Sequence, residues 1–201
     1  MLFLRYESLK EYIRLYPVTA LLLLVNVAVF IAMLIAGDPR SHETLIRFGA
    51  QLNIPPYQTE YWRYLTALFV HIGFEHLLFN GFALFVFAAP LERLLGKLPY
   101  LLFYLGSGVA GNLFSQLMAR EAYVSAGASG AIYGVFAAFA YLSWLRKDLF
   151  DRQTRTAVTV MLVIGVVYSF LVPQVNLYAH LGGMIGGFLI MHIMLHARQK
   201  R

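Results

Sequence analysis

The chain has 201 residues, 60% of them apolar or aromatic and only 13% charged, about half the charged share of a soluble domain. That composition cannot give one or two soluble domains of this length a wetted surface, and it points to a polytopic membrane protein. The absence of cysteine excludes disulfide frameworks, thiolate metal sites and cysteine nucleophiles, while the net charge of +6 has to be judged from where the basic residues fall.

Residues 1–16 are polar and mixed in charge, and no cleavable signal peptide is expected in the segment 1–17. Leu2, Leu9, Ile13 and Tyr16 set against Arg5, Lys10 and Arg14 predict a short amphipathic anchor on the cytoplasmic surface. Pro17, suited to a first helical turn, leads an uncharged run over 18–36, long enough to cross a hydrocarbon core about 30 Å thick. The long connection 37–63 is interrupted by Pro39, Pro55 and Pro56 but keeps many apolar residues. It is expected to fold back onto the outer leaflet, with Tyr61 and Trp62 at headgroup level.

Residues 64–91 are more than one span needs. Gly73 offers a break, which makes 64–72 an embedded approach segment and starts the span proper near Gly73. Runs over 98–119, 122–145, 156–172 and 179–197 bring the count to six. The expected architecture is an all-α membrane bundle of six transmembrane helices over 18–197, followed by a basic tail at 198–201. An even number of spans puts both termini on one side of the membrane. Twelve of the 16 Lys and Arg fall on that side, against Arg40, Arg47, Arg63 and Arg120 on the other. The positive-inside rule then makes the termini cytoplasmic. The basic excess is topological, and no nucleic-acid partner is expected.

Polar groups inside spans carry the chemistry, because burying them costs free energy unless they are paired or used. His76 and Asn80 lie in the first turns of the second span, Ser129 and Tyr133 open the fourth, and His180 opens the sixth. Even-numbered spans all enter from the outer face, so these side chains converge at one shallow depth. His76 and Asn80 are spaced i and i+4 on one helix face, as are Ser129 and Tyr133. His180, Gly183 and Gly187 form a stripe that lets another helix approach closely, and Gly127, Gly130 and Gly134 answer it on the fourth span. Such an approach would bring the Ser129 hydroxyl to the His180 ring, a minimal nucleophile–base pair for acyl transfer. His76, Asn80 and the Ser129 backbone N–H could then stabilise an oxyanion. No Asp or Glu lies at a matching depth near His180, so the pair is a dyad, with Tyr133 placed to stack on the imidazole.

Other chemistries fit less well. His71-Ile-Gly-Phe-Glu75-His76 matches neither H-E-x-x-H nor H-x-x-E-H, and helical positions five apart diverge by about 140°, too far for two ligands of one zinc. Glu75 and His71 read as structural or interfacial, and His192 and His196 as boundary residues. Ala131 stands where the hydrolase elbow G-x-S-x-G needs its second glycine. His76 and His180 could face each other across a haem. A haem carrier, a transporter or a non-catalytic pseudoprotease is therefore the alternative, although a transporter should show repeats and a midplane site.

Gly127-Ala-Ser129-Gly130, Ala179-His180-x-x-Gly183-x-x-x-Gly187 and His76-x-x-x-Asn80, with Tyr61-Trp62-Arg63 before the second span, together resemble the rhomboid intramembrane serine proteases. The likeness runs from about residue 18 to the C-terminus and departs at no motif position. It implies a compact six-helix bundle in a bacterial inner membrane, with a catalytic dyad in a wet cavity open to the non-cytoplasmic face. It also implies cofactor-free and metal-free cleavage of single-pass transmembrane proteins in or near their membrane segment. Carried onto matching positions, Ser129 is the nucleophile, His180 the base, His76 and Asn80 oxyanion donors, and Tyr133 the support of the histidine.

Overall fold

A computed structural model describes residues 3–118, 121–145, 150–172 and 175–199. The expected basic tail and Arg120, Arg146 and Lys147 of the charge count fall, wholly or in their side chains, outside the described residues. In chain order the helices are α1 (Leu9–Leu15), α2 (Pro17–Ala36), α3 (His42–Arg47), α4 (Arg63–Thr66), α5 (Gly73–Ala83), α6 (Ala89–Leu95), α7 (Lys97–Met118), α8 (Ser129–Leu145), α9 (Arg152–Leu171) and α10 (Leu177–Gln199). Two short strands, β1 (Gln51–Leu52) and β2 (Val124–Ser125), pair antiparallel.

Among the described residues four helical stretches are long and apolar enough to cross a membrane: Pro17–Ala36, Gly73–Leu95, Arg152–Leu171 and Leu177–Ala197. The two other long helices sit differently. α8 has only 17 residues, about 25 Å of helix, and twelve of them are buried. Glycines and alanines at Gly130, Ala131, Gly134, Ala137 and Ala138 let its neighbours close in on every side, so it needs no lipid-facing stripe. α7 brings polar Ser107, Asn112 and Ser115 into the same interior. Large apolar side chains on α2, α5 and α9, such as Leu24, Ile35, Phe79, Phe82, Ile164 and Leu171, face outward instead. An apolar exterior around a helical interior is the pattern of a protein solvated by lipid.

α8 and α10 meet backbone to backbone. A Cβ on Gly183 would collide with the Gly130 carbonyl oxygen, and one on Gly187 would stand 2.5 Å from Gly134 Cα. Gly182 and Gly186 face α7 in the same way, against Phe114 and Ala110.

Near the other end of the bundle, Glu92 of α6 is buried and receives the backbone N–H groups of Val18 (2.9 Å) and Thr19 (2.8 Å), together with the Thr19 hydroxyl (2.7 Å). The first N–H groups of a helix lack internal partners, so Glu92 caps α2 from a distant helix, with the helix dipole in its favour. Between α5 and α6 the chain makes one π turn over Leu84–Ala88. Pro90 has no N–H to give the Phe85 carbonyl five residues earlier. The Tyr12 hydroxyl supplies it instead, at 2.9 Å.

Two expectations need correction, and a third gains contacts that the sequence did not show. The fourth hydrophobic run does not become helix at 122. Residues 124–125 are strand, Gly127 takes a positive φ of 122°, and the helix starts at Ser129. Strand pairing with β1 uses backbone groups that a helix would have consumed. The outer connection also packs on protein: Leu45 and Ala50 join Met33 and Val70 in a small second core. Arg63 is buried and donates to the Ile46 and Ala50 carbonyls at 2.8 and 3.0 Å, while Tyr61 and Trp62 remain exposed. The amphipathic anchor is shorter than 1–17. Ser8 and Glu11 form a capping box at the start of α1, Tyr12 and Tyr16 point inward, and Leu9 and Ile13 are exposed.

Replacing Glu92 with Ala should lower the unfolding free energy by about 1–3 kcal/mol, since buried N–H groups lose a charged acceptor; an unchanged unfolding midpoint in detergent would contradict the cap. Gly183→Val should cost about as much through overpacking, and a stability equal to that of the parent would contradict the backbone contact between α8 and α10.

Candidate active site

Two anchors hold the chain where α8 and α10 begin. The Gly127 N–H donates to the Ala67 carbonyl at 2.8 Å, tying the turn before Ser129 to the approach segment of the second span. Asn176 caps α10 by accepting the Ala179 N–H at 3.0 Å. Its side-chain amide donates to Ser115 Oγ on α7 (2.8 Å) and to Ser125 Oγ of β2 (3.0 Å). The first turns of both helices are thereby fixed to the same scaffold.

With the helices in glycine contact, His180 Nε2 lies 2.8 Å from Ser129 Oγ. The ring of Tyr133, one turn below Ser129, stacks on the imidazole at a centroid distance of 3.9 Å and an interplanar angle of 14°. His180 is buried, whereas Ser129 is only half-buried. A hydroxyl paired with an imidazole and open on its other side can act as an activated nucleophile.

His76 occupies the wall beside this pair. Its Nδ1 accepts the Ile72 backbone N–H at 3.3 Å, so the ring proton resides on Nε2. That Nε2 faces Gly127: a Cβ there would stand 2.8 Å from it. Glycine at 127 thus serves both the positive φ and the close approach of the ring. Asn80 is buried and uses one amide N–H on the His76 carbonyl of its own helix at 2.9 Å, leaving the second for another acceptor. The Ser129 N–H, in the first turn of α8, has no intrahelical partner.

His71 departs from the reading that set it a helical five residues away from His76. It precedes α5, is fully buried, and meets the His76 ring edge-on at 5.3 Å. Its neighbour Glu75 is exposed and paired with Arg40 at 2.7 Å. Among the described residues no group of three or more His, Asp or Glu is placed to hold a metal ion.

One residue of the site is missing from the sequence reading. Ser169 of α9 is buried, and its Oγ lies 2.7 Å from His180 Nδ1, 2.8 Å from Tyr133 Oη and 2.8 Å from the Gly165 carbonyl, which Tyr133 Oη also reaches at 2.6 Å. Ser169 belongs to no motif. Its only sequence signal is a hydroxyl in the apolar C-terminal half of α9.

Residues 58–197 match the family profile described as "Rhomboid domain". The chain is 35% identical over 201 residues, the whole of both sequences, to a protein named putative rhomboid protease YdcA of Bacillus subtilis. It is 37% identical over 170 residues to rhomboid protease GluP of the same organism, covering 85% of this chain and 33% of that longer protein. A fungal relative, rhomboid-type serine protease 2 of Emericella nidulans, is 32% identical over 77% of this chain and 30% of its own. The chain belongs to the rhomboid family and is a multi-pass membrane protein.

Proposed function

We propose that this rhomboid is an active intramembrane serine endopeptidase that cleaves single-pass transmembrane proteins in or near their membrane segment. The observation that carries this reading is the 2.8 Å approach of Ser129 Oγ to His180 Nε2. In this reading the chain crosses a bacterial plasma membrane six times, α7 and α8 being the two inner spans, with both termini cytoplasmic. The site opens to the non-cytoplasmic face.

Ser129 Oγ attacks the scissile carbonyl carbon while His180 Nε2 takes its proton, and the carbonyl π pair moves onto oxygen. The Ser129 N–H, the His76 Nε2–H and the second Asn80 N–H meet that oxyanion. On collapse the C–N bond breaks and Nε2 returns the proton to the leaving amine, leaving an acyl group on Ser129. Water then gives a proton to Nε2 and attacks the ester, and the proton passes back to Ser129 as the acid departs. Tyr133 holds the imidazole plane by stacking throughout.

A substrate peptide bond inside a helix has its carbonyl engaged and its carbon shielded, so the target must unwind locally before Ser129 can reach it. Gly or Pro near the scissile bond lowers that cost, and small side chains before it suit the crowded entrance. The haem alternative has little to stand on, because Ser129 and Ser169 engage both ring nitrogens of His180.

Purified Ser129→Ala and His180→Ala proteins should retain the fold and lose cleavage of a transmembrane reporter; substantial cleavage by Ser129→Ala ends the proposal. His76→Ala and Asn80→Ala should each slow the reaction by less, up to about 10²–10³-fold as for single oxyanion donors elsewhere. Wild-type rates in both variants would remove them from the oxyanion site.

A further inference from the structure

The Ser169 hydroxyl offers more to the site than a serine packed in a membrane helix usually does. Such a serine bonds the carbonyl four residues back, and Ser169 does so with Gly165 at 2.8 Å. That bond would be complete without His180. Yet the shortest of its three contacts is the one to His180 Nδ1, at 2.7 Å.

Resting on the protease reading above, we propose that Ser169 is a positioning residue: it holds neutral His180 as the tautomer protonated on Nδ1 and so keeps the Nε2 lone pair aimed at Ser129. The Gly165 oxygen can only accept, and it has two lone pairs for the two hydroxyls that reach it, Tyr133 Oη at 2.6 Å and Ser169 Oγ at 2.8 Å. With its one hydrogen on Gly165, Ser169 turns only lone pairs toward Nδ1, and Nδ1 must donate. Nε2 is then unprotonated and accepts the Ser129 hydroxyl at 2.8 Å. Every donor in the chain Ser129–His180–Ser169–Gly165 is satisfied.

The reverse arrangement has Ser169 donating to Nδ1 and Nε2–H donating to Ser129. It leaves the Ser129 hydrogen without an acceptor in this chain, and it leaves the base with no lone pair for the proton it must take. Buried polar networks favour the fully satisfied arrangement.

The same contact serves the charged state. When Nε2 takes the Ser129 proton, Nδ1–H stays in place and its bond to Ser169 Oγ becomes charge-assisted. No proton passes to Ser169, and no oxidant or cofactor enters. A neutral hydroxyl thus orients the imidazole, the task a buried carboxylate performs in the Ser-His-Asp triad. Among the described residues no carboxylate is hydrogen-bonded to His180.

Ser169→Ala should lower kcat for the transmembrane reporter by roughly 10- to 100-fold, because the imidazolium formed on the way to the acyl-enzyme loses its charge-assisted acceptor, with KM little changed. Ser169→Thr, which keeps the oxygen, should recover most of the rate, while Ser169→Val should not. In the wild-type protein, ¹⁵N-histidine NMR should show His180, assigned by loss of its signal in His180→Asn, protonated on Nδ1. Wild-type protein protonated on Nε2, or Ser169→Ala cleaving at the parent rate, overturns the assignment to Ser169. A wild-type protein that cleaves nothing overturns the protease reading instead, so the two failures are distinguishable.

Discussion

Two helices without side chains at their contact make the rest of the site possible. Gly183 over the Gly130 carbonyl and Gly187 over Gly134 bring the axes of α8 and α10 closer than any Cβ would permit. In a bilayer, lipid tails are as apolar as leucine, so helices gain little from hiding apolar surface from one another. Close van der Waals packing of small residues supplies the attraction instead. Only at that separation do the first-turn side chains Ser129 and His180 come within hydrogen-bonding distance. The glycines and the polar pair are two parts of one device.

The central place of α8 follows from the same residues. A helix lined by Gly and Ala can be surrounded, and one that is surrounded needs neither the length nor the lipid-facing stripe of an ordinary span. It is shorter than neighbours such as α7 and α10 and packs between them. Ser129 is set down into the bundle with the pairing of β1 and β2 and the Gly127 turn above it. The outer connection braces this entrance: Arg63 bonds its own loop carbonyls, and Gln51 donates to the Asn112 carbonyl of α7 at 2.8 Å.

Much of this was legible in the residues. His76, Asn80, Ser129 and His180 are conspicuous because each interrupts an apolar run, where a polar group needs a reason to be, and the glycine stripes are visible as spacing. Two kinds of feature were not. Residues 122–128 are mostly apolar and carry only Gly127 as a breaker, so a strand and turn there looked like helix; the partner that makes the strand lies more than seventy residues earlier. Ser169 was invisible for a different reason. A lone serine on α9 has the composition of a packing residue, and only the three-dimensional meeting of α8, α9 and α10 shows that its hydroxyl lies against an imidazole. The helical geometry assumed for His71 was off because angular arithmetic along a helix fails where the helix has not yet begun, although its structural reading is unaffected.

The most direct measurement is covalent labelling of the purified protein with a fluorophosphonate, followed by mass mapping of the modified peptide. The account predicts one adduct, on Ser129, that disappears when His180 is replaced by Ala. An adduct on another serine, or undiminished labelling of Ser129 without His180, would contradict it.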